Sequence, residues 1–259
     1  MEILEQAQVF IQKGDDYEFE YTSIIVYQRG KFFYARSPHR HRPDSEINLG
    51  VETLLEIPAD KIWPYWDPKL AREPQQLPPN TYVKRPSLLA YNPTTSSKLG
   101  RQLLDEAEVC QVLMAHPHPN IVKYLGCVVE DGVVKGLCFV EYSQTLAQKL
   151  RKGEPHDVHR CMTGIENGVR HLHELGFIHN DLNPSNIMMD GDDPIIIDFD
   201  YSKREGEELG WKQGTPGWAK EDLRYTDRDN DFYSISKIRK WLPRVNSVTD
   251  MDTRLASSS

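Results

Sequence analysis

The chain has 259 residues, 39% of them hydrophobic, with 39 acidic against 31 basic side chains and a formal net charge of −8. That is enough apolar material for a single fold, and a second independent domain would be cramped. The negative balance, with no basic stripe carrying interleaved aromatics, argues against nucleic acid or an anionic membrane as partner; Met1-Glu2-Ile3-Leu4-Glu5-Gln6 is no secretory leader and no stretch reaches membrane-span length, so the expected location is intracellular, cytoplasmic or nuclear.

In chain order, the β-rich runs Tyr21 to Tyr27 and Lys31 to Ala35 flank Gln28-Arg29-Gly30 and predict a hairpin within Tyr17 to Ser37. Residues 37–81 are punctuated by Pro38, Pro43, Pro58, Pro64, Pro68, Pro74, Pro78 and Pro79, a density that argues against a long helix or a central strand. Trp63, Tyr65 and Trp66 in its middle predict that the segment docks on the strand-rich part of the fold, with an extended Pro-rich ligand for a partner as the alternative. Val83-Lys84 ends a short β-prone run. In 103–114, Leu103, Ala107, Cys110 and Met114 recur at helical spacing, and in 157–173 Val158, Cys161, Met162, Ile165, Val169 and Leu172 share one face. The second helix should end near Gly176 and feed a strand at Phe177-Ile178. A third stripe, Tyr233, Ile235, Ile238, Trp241 and Leu242, stops at Pro243, and a polar tail at 246–259 is expected to be disordered. Cys110, Cys127, Cys138 and Cys161 have no C-x-x-C spacing and are expected as reduced core residues, while His116-Pro117-His118-Pro119 predicts a turn, not a metal site.

The chemistry concentrates in His179-Asn180-Asp181-Leu182-Asn183-Pro184-Ser185-Asn186 and in Ile195-Ile196-Ile197-Asp198-Phe199-Asp200. A carboxylate is followed five positions on by an amide and seventeen positions on (181 to 198) by a second carboxylate, each at the edge of a short apolar strand. A nucleoside triphosphate needs divalent cations, and Mg²⁺ favours one or two carboxylates plus the phosphates themselves. Asp198 would supply the main metal ligand and the Asn186 amide oxygen a neutral one, leaving Asp181 to accept or orient the attacking hydroxyl. Pro184, Leu182 and Ile187 would stiffen the loop, since such catalysis is largely positioning.

This pattern resembles the catalytic loop and metal-binding loop of the protein-kinase fold. Asp105 to Leu113 is similar to the C helix of that family, His118 to Gly126 to the turn and strand after it, and Leu137 to Tyr142 to the strand entering the hinge. Gly214-Thr215-Pro216-Gly217-Trp218-Ala219-Lys220-Glu221 is similar to the end of the activation segment and Asn230 to Ile235 to the start of the F helix, in the family's order over residues 80–242. The resemblance implies an α+β, bilobal fold: a small, mainly antiparallel β lobe with the C helix over 1–142, holding the Pro-rich 37–81, and a minimal helical lobe over 143–245 that lacks the last helices. It implies ATP and Mg²⁺ as cofactors. Lys84, with Arg85 as its rival, would hold the α- and β-phosphates, partnered by Glu106, which lies between Leu103 and Cys110 on the helical wheel where Asp105 and Glu108 do not. Backbone groups around Glu141 and Ser143 would meet adenine. An arginine partner for Glu221 would be Arg239 or Arg254.

The departures from the pattern shape the function expected. No GxGxxG precedes Lys84; Asn180 replaces the arginine that anchors a phosphorylated activation loop, Asn183 a lysine, and Asp200 the last glycine of DFG. Short chains with HNDLNPSN and IDFD resemble small kinase-like proteins of filamentous fungi. The expected function is an ATP- and Mg²⁺-dependent, atypical Ser/Thr-type protein kinase, acting on a protein or small-molecule hydroxyl. Asn183 and Asp200 also resemble the blocks of aminoglycoside and choline kinases, and the absent glycine loop would suit a nucleotide-binding pseudokinase.

Overall fold

The computed structural model describes residues 1–14, 16–41, 53–92, 99–209, 214–220 and 223–242; the expected tail at 246–259 and the positions Pro43, Gly210, Glu221, Pro243 and Arg254 lie outside them. The chain forms two compact units, one of Met1–Gln75, Val83–Ala107 and Gly126–Cys138, the other of Gln76–Tyr82, Glu108–Leu125 and Phe139 onward.

The first unit opens with four antiparallel strands in sequential order: β1 (Glu2–Lys13), β2 (Asp16–Gln28), β3 (Lys31–Ser37) and β4 (Leu55–Ile57). Arg29 and Gly30 both take positive φ, 51° and 79°, the two-residue turn whose twist matches the strands it joins. Ile24, Ile25 and Val26 in β2 are all fully buried, because apolar layers cover both faces of the sheet there. Ile25 packs with Tyr34, Ile57, Leu88, Leu99 and with Ile62 of α1 (Ala59–Ile62), while Ile24 and Val26 pack with Ala35 and Phe33. The expected hairpin is therefore present, and it belongs to a larger sheet: β1 shows no clean period-two alternation and gave no strand signal.

A second sheet runs β5 (Thr81–Lys84), β7 (Val133–Val140), β6 (Tyr124–Glu130). The Pro-rich segment is strapped along it. Val134 N–H donates to the Pro64 carbonyl at 2.9 Å, Trp66 N–H to Gly132 at 3.0 Å, Cys127 N–H to Ala71 at 2.8 Å and Glu73 N–H to Cys127 at 2.9 Å. The strap covers a sheet edge that would otherwise display unpaired backbone groups. Trp63 meets Phe32 edge-on with centroids 6.1 Å apart and takes the Lys135 ammonium over its face at 4.6 Å. Gly126 permits the close approach: a Cβ there would stand 2.5 Å from the Arg72 carbonyl carbon, and its φ of +126° suits glycine alone.

Helix α2 (Leu99–Ala115) buries Leu103, Ala107 and Cys110 as the periodicity predicts. Met114, expected on that face, is 36% exposed, and Leu113 holds the last core position because the stripe advances by three residues, not four, at its end. In the second unit α4 (Val158–Glu174), capped by Asp157 on the Arg160 N–H, buries Cys161, Met162, Ile165, Val169 and Leu172, with Val158 only half-buried at its start. α5 (Arg228–Trp241) buries Ile235 and Ile238, but Tyr233 is half-buried and Trp241 exposed, lying edge-on to Trp218 at 5.6 Å. A short helix, α3 (Leu146–Arg151), was not anticipated, although Thr145 and Gln148 form a full capping box at its start.

The hairpin of β9 (Ile187–Asp190) and β10 (Asp193–Ile196) lies directly on α4 because two glycines let it. A Cβ on Gly164 would sit 2.6 Å from Pro194, and one on Gly168 would sit 2.8 Å from Ile196 Cδ1. Phe177-Ile178 forms β8, paired with β11 (Lys203–Arg204). All four cysteines are buried and outside any disulfide, and burial pushes the Cys161 thiol up to about 12. His118 stacks on His171 at 4.8 Å, with burial and then His171 holding its pKa below the usual imidazole range. Among the described residues no group of three His, Cys, Asp or Glu side chains could hold a metal, and no helix is long and apolar enough to cross a membrane.

Gly126→Ala is expected to lower stability by about 2–3 kcal/mol, measured by urea unfolding, and to open the strap near Arg72 to limited proteolysis. Unchanged stability and protection would mean that the close approach is not a constraint.

Candidate active site

The site in the second unit is built on a loop that hangs from one buried carboxylate. Asp231, in the first turn of α5 and fully excluded from solvent, accepts the His179 N–H and the Asn180 N–H at 2.9 Å each, and pairs with His173 Nε2 at 2.8 Å. Asn180 is thereby held in the left-handed region at φ 65°, a conformation Asn tolerates better than most residues. Its side-chain amide donates to the carbonyls of Ile178 and Tyr201 and accepts from Asn230 Nδ2 at 2.9 Å, so the neutral side chain is fully used inside the loop. His179 Nε2 sits 3.0 Å from the Ile197 carbonyl, and the ring lies 5.5 Å from that of buried Phe199.

Asp181 follows with both carboxylate oxygens engaged. Thr215 N–H donates to Oδ1 at 2.6 Å, and Asn186 Nδ2 donates to Oδ2 and to the Asp181 carbonyl, each at 2.9 Å. Asn183 Nδ2 bridges the Asp181 carbonyl at 3.1 Å and the Thr215 hydroxyl at 3.2 Å. Asn183 therefore ties the loop to the 214–218 block through a neutral amide. Gly214 makes room for this, since a Cβ there would stand 2.6 Å from the Asn180 carbonyl. Leu182 and Ile187 are fully buried, and the Pro184 carbonyl accepts the Ala147 N–H at the start of α3.

Asn186 and Asp198 sit at the open mouth of the β9–β10 hairpin. The pairing of Ile187 with Ile196 is extended by Ile197 N–H donating to the Asn186 carbonyl at 3.0 Å, which sets Asn186 beside the residue before Asp198. Since Asn186 spends its Nδ2 on Asp181, its Oδ1 is the acceptor left to face a cation. Asp198 is half-buried and takes φ 68°, an uncommon conformation whose cost of about 1–3 kcal/mol persists only where the surrounding structure over-determines it. Tyr201 reports how close these acids are: burial first, then the charges of Asp200, Asp181 and Asp198, push its phenol up to about 12. One half-buried carboxylate and one amide oxygen suit Mg²⁺, which takes few protein ligands and relies on phosphate oxygens for the rest.

In the first unit Lys84 Nζ lies 2.8 Å from Glu106 Oε1, and Glu106 is almost wholly buried. Arg85 is exposed, and Asp105 pairs instead with Arg101 at 2.6 Å. Glu141 is exposed and donates its N–H to the Asn80 carbonyl at 2.9 Å; Ser143 is exposed beside it.

Residues 89–237, more than half of the chain, match the protein kinase domain. The chain belongs to that family. The match covers residues 179–186 and 195–200 and α5 as far as Lys237, and it begins after Lys84. The kinase fold here is α+β, with antiparallel sheets and few helices. The chain is 31% identical over 140 residues to Mitogen-activated protein kinase kinase kinase 2 of Arabidopsis thaliana, covering 51% of this chain and 22% of that relative. It is similarly 31% identical to Mitogen-activated protein kinase kinase kinase ANP1 of the same plant, covering 21% of it. A serine/threonine-protein kinase of Caenorhabditis elegans is 28% identical over 126 residues, 45% of this chain and 13% of the relative. The chain thus spans about a fifth or less of the length of these relatives.

Sequence reasoning missed the anchor of this kinase-domain loop. Asp231 was noticed only as part of a helix start, and the clue available was an acid in a first turn whose neighbours on the buried face are also polar, Asn230 and Ser234.

Because the raised Tyr201 pKa favours the neutral phenol in the folded chain, its contribution to stability is complete below pH 10 and is lost as pH rises through about 12. Tyr201→Phe should flatten the loss of urea resistance across that window; an unchanged alkaline slope would show that Tyr201 ionises without opposition.

Proposed function

We propose that the chain is an ATP- and Mg²⁺-dependent protein kinase of the Ser/Thr type, atypical in lacking a glycine-rich loop, that transfers the γ-phosphate to a hydroxyl. The observation that carries this reading is the bond from Thr215 N–H to Asp181 Oδ1, joined by the Asn183 bridge to the Thr215 hydroxyl. The 214–218 block, which resembles the peptide-facing segment of protein kinases, is locked to the proposed base itself. A kinase for small molecules has no need of that connection. The names of the relatives, a serine/threonine-protein kinase and mitogen-activated protein kinase kinase kinases, support the same class.

Each residue then has a task. Asp181, its carboxylate aimed by two N–H donors, keeps lone pairs for the substrate hydroxyl and receives or orients its proton. Asn186 aims Asp181 through Nδ2 and would hold a cation through Oδ1, while Asp198 would be the charged metal ligand. Mg²⁺ bound with ATP would neutralise charge on the phosphate oxygens. Lys84, held by Glu106, is the ammonium proposed for the α- and β-phosphates, and backbone groups at Glu141 and Ser143 are proposed for adenine.

Radiolabelled ATP offered with generic protein and with a panel of amino alcohols tests the proposal. Label should appear on protein; label on an amino alcohol would favour a small-molecule kinase, and no label with an ATP-induced rise in Tm would favour a pseudokinase. Asp181→Ala should lower transfer about 10²–10⁴-fold and leave ATP binding intact, whereas Asp198→Ala should also weaken Mg-ATP binding by calorimetry. Equal labelling by wild type and Asp181→Ala would remove Asp181 from the chemistry.

A further inference from the structure

The longest edge strand of the first unit, among the described residues, is β1. Among the described residues it pairs with β2 alone and forms the edge of its sheet, whereas the opposite edge is the three-residue β4. Natural edge strands are kept from pairing by being short or by carrying Pro, Lys or a covering segment. From Gln6 to Gln12 β1 carries no charge and no proline and includes Phe10 and Ile11, each 43% exposed, while the segment after β3 crosses the face that Gln8 and Phe10 share, with Arg40 over the Phe10 ring and the His41 carbonyl accepting from Gln8 Nε2. Phe10 and Ile11 point to opposite faces of the strand.

We propose that β1 pairs antiparallel with β1 of a second copy about a two-fold axis at Val9. A two-fold perpendicular to a sheet requires facing residues to share a side, so the register must centre on a residue; centring on Val9 sets Glu5 opposite Lys13 of the other copy, and Lys13 opposite its Glu5. Between these ends Ala7 faces Ile11 and Gln8 faces Phe10, with Val9 facing itself. Opposite charges at facing positions stabilise such a pair, and this register supplies two of them by symmetry. Registers centred on Gln8 or Ala7 instead set Glu5 against Ile11 or Val9 and leave Lys13 against an apolar or uncharged residue. Glu5 is already fixed, since its carboxylate accepts the Leu88 N–H at 2.9 Å and the Ser87 hydroxyl at 2.5 Å. Lys13 pairs with Glu18 of its own chain, but at an exposed site where such a pair is worth little and can be shared. The irregularity between Val9 and Phe10 adds its extra residue, Glu20, to β2, so β1 runs without a bulge from Glu5 to Lys13.

Sedimentation equilibrium of the full chain should give a mass that rises to twice the monomer value with concentration. Val9→Lys, which sets two ammonium groups face to face on the axis, should raise the dissociation constant about fivefold or more. Val9→Cys should form a disulfide-linked dimer under mild oxidation while Gln12→Cys, far from its own copy in this register, should not; the native cysteines are buried and should stay silent. A chain that stays monomeric at every concentration, or that cross-links equally through both introduced thiols, would overturn the proposal.

Discussion

The second unit depends on the Asp231 carboxylate. It is the charged group that reaches the loop from α5, beside the neutral Asn230 amide, and it takes two consecutive backbone N–H groups and an imidazole while fully excluded from solvent. A buried charge is tolerated only when its hydrogen-bonding capacity is met, and removing a partner would leave the remainder stranded. The cost of burying Asp231 is therefore offset by fixing the backbone of His179 and Asn180, and the fixed backbone in turn aims Asp181. Preorganisation of this kind removes the need to rearrange dipoles during a reaction.

A second constraint supplies the other half of the site. Gly164 and Gly168 on α4 admit the β9–β10 hairpin to van der Waals contact, and the hairpin's own register brings Asn186 level with Ile197. The amide and the Asp198 carboxylate are thus placed by a helix, two glycines and four pairs of residues, independently of any bound ion. Asn186 joins the two constraints, since it hydrogen-bonds Asp181 with one side-chain atom and leaves the other for a cation. The proposed phosphotransfer is the use that the groups of the second unit suit, an oriented carboxylate and a hard oxygen pair; the first unit by itself holds an ammonium against a buried glutamate.

Much of this was legible before the structure. The buried stripe of α4 and most of that of α2 followed from periodicity, because both helices bury one face in a core, and the wheel position of Glu106 distinguished it from Asp105 and Glu108. The β2–β3 hairpin was announced by Arg29-Gly30. What escaped notice was set by tertiary contacts. β1 mixes apolar residues on both faces and forms only because β2 pairs with it. That the Pro-rich segment docks on the strands was expected from its aromatics, but the path of the strap at 64–73 was not, because it is set by backbone bonds and by Arg72 and Glu73 at Val129, with Gly126 marking where it passes. Met114 and Trp241 sit at helix ends, where a stripe runs off the surface it was packed on. The link from Thr215 to Asp181 uses a backbone N–H and so left no trace in residue types.

The account's central claim is that Asp231 fixes the loop before any nucleotide arrives, and amide hydrogen exchange of the ligand-free chain tests it most directly. The His179 and Asn180 amides are predicted to exchange as slowly as those in the middle of α4, and only through unfolding of the whole unit. Fast exchange at these two positions while α4 stays protected would contradict it.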